Sequence, residues 1–258
     1  EVYRDRFIAF DEAVPIKDLK ARQSEVGDHL MYKPWIQIGN YDHKGEFSTV
    51  VNGSRVVKGV DGLKNCLSTK EIWMFGGSTT YGWGVPDAEN IPSFLQQILN
   101  KHQTCLKVVN FGVPLHYSKQ ESINFVDKLL ELEKPPLVAI FLDGLNDFGQ
   151  PGSTLRGEPF FTPTLTNLVP RGSNFSNSGG SNSPIMFNLK FIKFLQSKII
   201  KSSNSSATYN RNYKIPSEYT EALAAKEISR RFIENTIKLG KICNAYKVKC
   251  FRFLQPVP

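Results

Sequence analysis

The chain has 258 residues, 40% hydrophobic and 22% charged, the make-up of an ordinary globular protein long enough for one large α/β domain with an N-terminal extension. No run approaches the roughly 18 apolar residues needed to span a bilayer, so no transmembrane segment is expected. The formal net charge is +8, but the basic residues are scattered singly, as Lys190, Lys193 and Lys198 are. That spacing reads as solvated helix faces and excludes a nucleic-acid partner from the expectations.

Residues 1–70 read as an extension. Its Tyr41–Val57 stretch carries two strand-like runs, with Gly45 and Asn52-Gly53 as turn signals, and predicts a β-hairpin packed as an arm on the main domain. The main domain, 71–258, opens with the strand-like Glu71–Phe75 and a tight Gly-Gly turn at Ser78. Ile91–Lys101, with Pro92 near its start, places Ile91, Leu95, Ile98 and Leu99 on one helical face and crosses over to the strand Val108–Asn110. Ser118 and Glu121 match a Ser-x-x-Glu capping box, followed by Ile123, Val126, Leu129 and Leu130 as a buried stripe. Leu137–Leu142 is apolar throughout, as a parallel strand covered on both faces should be.

Residues 149–184 lose periodicity and read as a long loop, usually a lid or binding loop at this length. The loop leaves the third motif strand directly, so Phe160, Phe161 and Leu165 are placed to shape a substrate pocket. Within it, Leu168–Ser173 is identical to the hexapeptide that thrombin cleaves, so it reads as an engineered segment and no function is drawn from it. Ile185–Ile200 predicts an amphipathic helix. Ser217 caps a further helix running to about Tyr246, with Ala222, Ala225, Ile228, Phe232, Thr236 and Leu239 inward. Val248–Leu254 then reads as a buried strand, after which the chain stops abruptly, and the expectation is a chain cut short.

The four cysteines, Cys66, Cys105, Cys243 and Cys250, have no zinc spacing, and no metal or cofactor is expected. Cys243 and Cys250 flank the join of the last helix and strand and read equally as a disulfide or as two buried thiols. Asn52, Asn174 and Asn204 each begin a glycosylation acceptor pattern. Together with a start at Glu1, these features lean towards an extracytoplasmic or secreted protein.

The central observation is a spacing. Phe75–Thr80, Asn110–Pro114 and Asp143–Asp147 each follow an apolar run, and Ser78, Gly112 and Asn146 recur at the interval of one strand-helix unit. Parallel strands put their carboxyl ends on one edge of the sheet, so the three segments should meet there. Ser78 then offers a hydroxyl in the manner of a nucleophile elbow. The Ser78 N–H, the Gly112 N–H and the Asn146 amide offer three donors for a tetrahedral oxyanion. His116, in the segment leaving the second strand, is placed to lean over the site and bind substrate.

At Gly76-Gly77-Ser78-Thr79-Thr80, Asn110-Phe111-Gly112 and Gly144-Leu145-Asn146-Asp147 the chain resembles the SGNH/GDSL hydrolase family of esterases and lipases, with Gly77 where many members have Asp. The resemblance implies a three-layer α/β/α sandwich with a central parallel sheet, Ser78 as nucleophile, and Ser78, Gly112 and Asn146 as the oxyanion hole. It also implies a C-terminal Asp-x-x-His, which this sequence lacks: its histidines are His29, His43, His102 and His116. The expected function is hydrolysis of an O-acyl ester, O-acetyl above all, of a small molecule or carbohydrate. A polysaccharide O-acetyltransferase and a non-catalytic carbohydrate-binding protein are the alternatives.

Overall fold

A computed structural model of the chain describes residues 21, 22, 25, 29–33, 35–132, 134–156 and 214–255. Its strands are β1 (Leu30–Lys33), β2 (Gln37–Asn40), β3 (His43–Lys44), β4 (Thr49–Val51), β5 (Ser54–Arg55), β6 (Lys70–Gly76), β7 (Leu106–Asn110), β8 (Val138–Asp143) and β9 (Lys249–Leu254). Its helices are α1 (Ser78–Tyr81), α2 (Ile91–Lys101), α3 (Ser118–Glu131), α4 (Leu145–Gly149), α5 (Pro151–Arg156) and α6 (Glu221–Ala245). The chain divides into one unit of Glu1–Gly149 with Ser229–Pro258 and another of Gln150–Ile228.

In the first unit seven strands form a mixed sheet in the order β3-β4-β5-β7-β6-β8-β9. β7, β6, β8 and β9 are mutually parallel, giving the expected parallel centre. The chain moves from β6 outward to β7 and then back across to β8. The sheet therefore has a switch point between β6 and β8, where doubly wound sheets open a crevice at the strand ends. The hairpin expected as an arm is hydrogen-bonded into this sheet: β5 pairs antiparallel with β7 at Arg55↔Asn110. Asn52 and Gly53, with φ of 53° and 71°, form the two-residue turn between β4 and β5, and such turns match the strand twist. β1 and β2 make a separate antiparallel pair.

Helices cover both sheet faces, completing the three layers. On one face Trp73, Phe75, Phe111, Phe125, Phe141 and Leu239 pack together, the rings edge-on or stacked at 5.1–6.4 Å. On the other, Ile72, Met74, Val57 and Val108 meet Leu95 and Leu99 of α2. Disulfides join Cys66 to Cys105 and Cys243 to Cys250, the latter tying α6 to β9.

Helix existence was legible, but helix faces less so. In α2, Ile91 and Ile98 are exposed, and Ser93 and Gln96 take inward places instead. The reason is the outer edge of β7: Gln96 accepts from the Val108 N–H at 2.7 Å and donates to the Leu106 carbonyl at 3.0 Å, standing in for a missing strand. In α3 the inward stripe is Glu121, Phe125 and Leu129, while Leu130 is 70% exposed. The expected capping box is displaced by one residue. Gln120 accepts from the Tyr117 N–H at 3.2 Å, because Ser118 is taken by Asp147. α6 starts at Glu221 behind Thr220, and Ala224, not Ala222 or Ala225, is buried. β9 was expected to be buried. Among the described residues it pairs with β8 alone, and Phe253 and Leu254 are more than half exposed. The predicted loop 149–184 begins with α5, and the predicted helix 185–200 lies outside the described residues.

Candidate active site

Ser78 opens α1 at the carboxyl end of β6. The turn closes at Gly82, whose φ of +89° favours glycine, and both Gly82 and Trp83 donate to the Ser78 carbonyl at 2.9 Å. The Ser78 N–H lies in the first turn, where no intrahelical acceptor exists.

Two buried side chains hold this turn. The Arg55 guanidinium donates to Asp87 Oδ1 at 3.0 Å, to the Tyr81 carbonyl at 2.9 Å and to the Val85 carbonyl at 2.6 Å, and it also reaches the Gly82 carbonyl. Its carbon lies 4.7 Å over the Tyr81 ring. Asn110, fully buried at the end of β7, donates to the Thr80 carbonyl at 3.0 Å.

The same Asn110 accepts from the Gly112 N–H at 2.9 Å. Gly112 packs against the α1 backbone so closely that a Cβ there would lie 2.4 Å from the Tyr81 nitrogen. Gly112 thus lies beside the Ser78 turn, but its N–H is occupied and it does not line the crevice described next.

That crevice sits at the switch point and is lined mainly by polar groups, among them Ser78, His116, Glu121, Asp143, Asn146 and Gln255. Asn146, at the start of α4, lies against Gly77: a Cβ on Gly77 would be 2.7 Å from Asn146 Nδ2. Glycine at 77 therefore leaves space for the amide. Asn146 Nδ2 donates to the His116 carbonyl at 2.7 Å, which uses one of its two N–H groups.

His116 is placed differently from the expectation. It is 1% exposed, and its Nε2 donates to the Ile38 carbonyl at 2.8 Å, so the ring is anchored to β2. Burial, aided by the charge of Lys33 and opposed by the Ile38 bond, pulls its pKa down to about 4. The ring is accordingly neutral at pH 7. Asp147 is equally committed. It accepts from the Ser118 N–H at 3.0 Å and hydroxyl at 2.6 Å, capping α3 from across the site. Burial pushes its carboxyl up, and those two bonds oppose the rise.

Gln255 was not anticipated. Its N–H donates to the Asp143 carbonyl at 2.7 Å and its amide to Thr79 Oγ1 at 2.9 Å, so the chain leaves β9 at the crevice itself. The crevice role of Glu121 was also missed, because in Ser-x-x-Glu it reads as a helix cap. Phe160 and Phe161 lie outside the described residues. Among the described residues no three His, Cys, Asp or Glu side chains are grouped to hold a metal, and no helix is long and apolar enough to cross a membrane.

No family model matches the chain, and no curated protein matches it. Solved structures similar to it include AlinE4, titled an SGNH-hydrolase family esterase, at 17% identity and a TM-score of 0.33, covering 71% of this chain and 75% of that one. The psychrotrophic esterase EstA from Pseudoalteromonas sp. is 15% identical with a TM-score of 0.33, covering 71% and 77%. A GDSL-like lipase from Bacteroides thetaiotaomicron is 13% identical with a TM-score of 0.26, covering 71% and 68%. These likenesses are distant, and the site is read from its own residues.

Proposed function

We propose that the chain is an SGNH-like serine ester hydrolase in which Ser78 attacks the ester carbonyl. The observation that carries this reading is the packing of the Asn146 amide against Gly77, directly beside a serine that opens a helix at the sheet's switch point. The Ser78 N–H and the second Asn146 N–H are the two donors available to a developing oxyanion. Gly112 joins them only if its N–H leaves Asn110. Collapse of the tetrahedral intermediate expels the alcohol and leaves an acyl-Ser78, which water then cleaves.

By the family resemblance the proton acceptor is a histidine downstream of the last strand. None of the four histidines here fits that role: His116 is anchored to Ile38, His102 follows α2, and His29 and His43 stack on each other at 3.9 Å. Gln255 of the described chain lines the crevice together with Ser78. The acyl group is assigned as small, acetyl above all, and the alcohol as a carbohydrate hydroxyl, in keeping with a small crevice whose described wall is mainly polar. The two disulfides support the assignment to an oxidising, extracytoplasmic compartment.

The test is intact-mass spectrometry after treatment with a fluorophosphonate, alongside hydrolysis of p-nitrophenyl acetate and longer esters. An adduct and acetate release that Ser78→Ala abolishes support the reading. A folded protein without an adduct overturns it and leaves a binding protein.

A further inference from the structure

Behind Ser78, on the sheet face covered by α3 and α6, four ionisable side chains from four elements converge. Glu121 comes from α3, Asp143 from the end of β8, Asp147 from α4 and Arg252 from β9. The three acids are 1%, 2% and 4% exposed. Arg252 forms an ion pair with Asp143 and also donates to Thr236 of α6, with its guanidinium 5.2 Å from the Phe232 ring. Asp147 is bound by Ser118. From α6, Asn235 donates to the Ser118 hydroxyl and Thr236 accepts from Arg252.

Glu121 and Asp143 are both buried in the wall of one crevice, and Glu121 Oε2 and Asp143 Oδ1 have no hydrogen-bond partner among the described residues. Two carboxylates so placed away from water cannot both be ionised, and only a proton between them turns repulsion into a bond. Arg252 balances Asp143, so Glu121 is the member that carries the proton. Burial is the largest influence holding the Glu121 acid well above its usual range, the charges of Asp143 and Asp147 add to it, and Arg252 opposes it.

Asp143 is coupled to the reacting edge through its backbone. Its carbonyl accepts the Gln255 N–H at 2.7 Å, and Gly144, with φ of +107°, turns the chain into α4 and Asn146. Both acids line the crevice that holds Ser78. We propose that Glu121 is a positioning residue for ester cleavage: protonated, it donates to Asp143 and fixes the β8–α4 turn that presents Asn146, and losing that proton disables the site. This role rests on the serine hydrolase reading. Without the proton, the buried Glu121 and Asp143 carboxylates repel each other, and with them α3 and β8, where Asn146 is set.

The test compares wild type, Glu121→Gln and Glu121→Ala in two measurements. The first is the pH dependence of acetyl-ester hydrolysis. Wild type is expected to lose kcat in alkali with little change in KM. Glu121→Gln, which keeps a donor towards Asp143, is expected to retain the activity that Glu121→Ala loses, about ten- to a hundredfold in kcat, and to lack the alkaline loss. The second is infrared spectroscopy at neutral pH, where a protonated-carboxyl band present in wild type should be missing from Glu121→Gln; it needs no turnover. If the band persists in Glu121→Gln, or the alkaline loss is the same in both proteins, the inference is overturned. If the band behaves as expected but no variant hydrolyses ester or labels at Ser78, the shared proton stands, while the hydrolase reading and the positioning role fall together.

Discussion

The side-chain amide of Asn146 donates to the main-chain carbonyl of His116 at 2.7 Å. His116 therefore serves the crevice through its backbone, while its ring is tied to Ile38. One Asn146 N–H is fixed by this bond, and in the proposed reaction the other serves the carbonyl oxygen that gains charge. Asn146→Ala is expected to lower kcat about a hundredfold or more, the cost of removing one oxyanion donor, while Ser78 still reacts with a fluorophosphonate. Steady-state hydrolysis of p-nitrophenyl acetate alongside the labelling rate checks both halves.

The anchored ring also predicts an acid sensitivity. Unfolded, His116 takes up a proton as pH falls through its ordinary 6.5; folded, it resists until about 4. The folded pKa is depressed, so its contribution is fully present above pH 6.5 and is lost as pH falls towards 4. The gap is worth about 3 kcal/mol. His116→Gln should be less stable than wild type at pH 7, and the difference should shrink by pH 4.5. Urea unfolding at the two pH values measures this, and a difference that does not change with pH would count against the anchored, neutral ring.

Arg55 and Asp87 form a buried pair, their side chains 0% and 7% exposed. Removing the guanidinium leaves the Asp87 charge short of its partner and takes the donor from the Tyr81, Gly82 and Val85 carbonyls. Arg55→Ala is expected to cost about 3–5 kcal/mol of stability, read as a lowered denaturant midpoint. Because those carbonyls belong to the turn behind Ser78, the rate of fluorophosphonate labelling should fall even under conditions where the variant stays folded.

The strands and their order of function were readable because a doubly covered parallel strand announces itself. Val138–Leu142 has no reason to be apolar on both faces unless both are covered. The recurrence of Ser78 and Asn146 at crossover intervals was enough to bring them together. What escaped were buried polar side chains. Gln96 reads as an outward helix residue until the bare edge of β7 is known, and Glu121 reads as a cap until Asp147 is seen to hold Ser118. Gly112 shows the same limit: proximity followed from spacing, but the engagement of its N–H depends on the Asn110 side chain, which no spacing encodes. Exposed Phe253 and Leu254 misled in the opposite direction, since an apolar run does not say which side of a strand is left unpaired.

β8 and β9 pair residue for residue, from Val138↔Lys249 to Asp143↔Leu254, with residues 144–248 between them. The entropy of closing so long a loop grows only with the logarithm of its length, about 0.6 kcal/mol for each doubling. Changes of length within that stretch that spare α4 and α6 therefore cost the strand pair less in closure entropy than deleting one buried methylene, at about 0.8 kcal/mol. The register that brings Gln255 to the crevice of Ser78 is thus insulated from the length of the chain between α4 and α6, while Asn146 and the core face of α6 hold the edge in place.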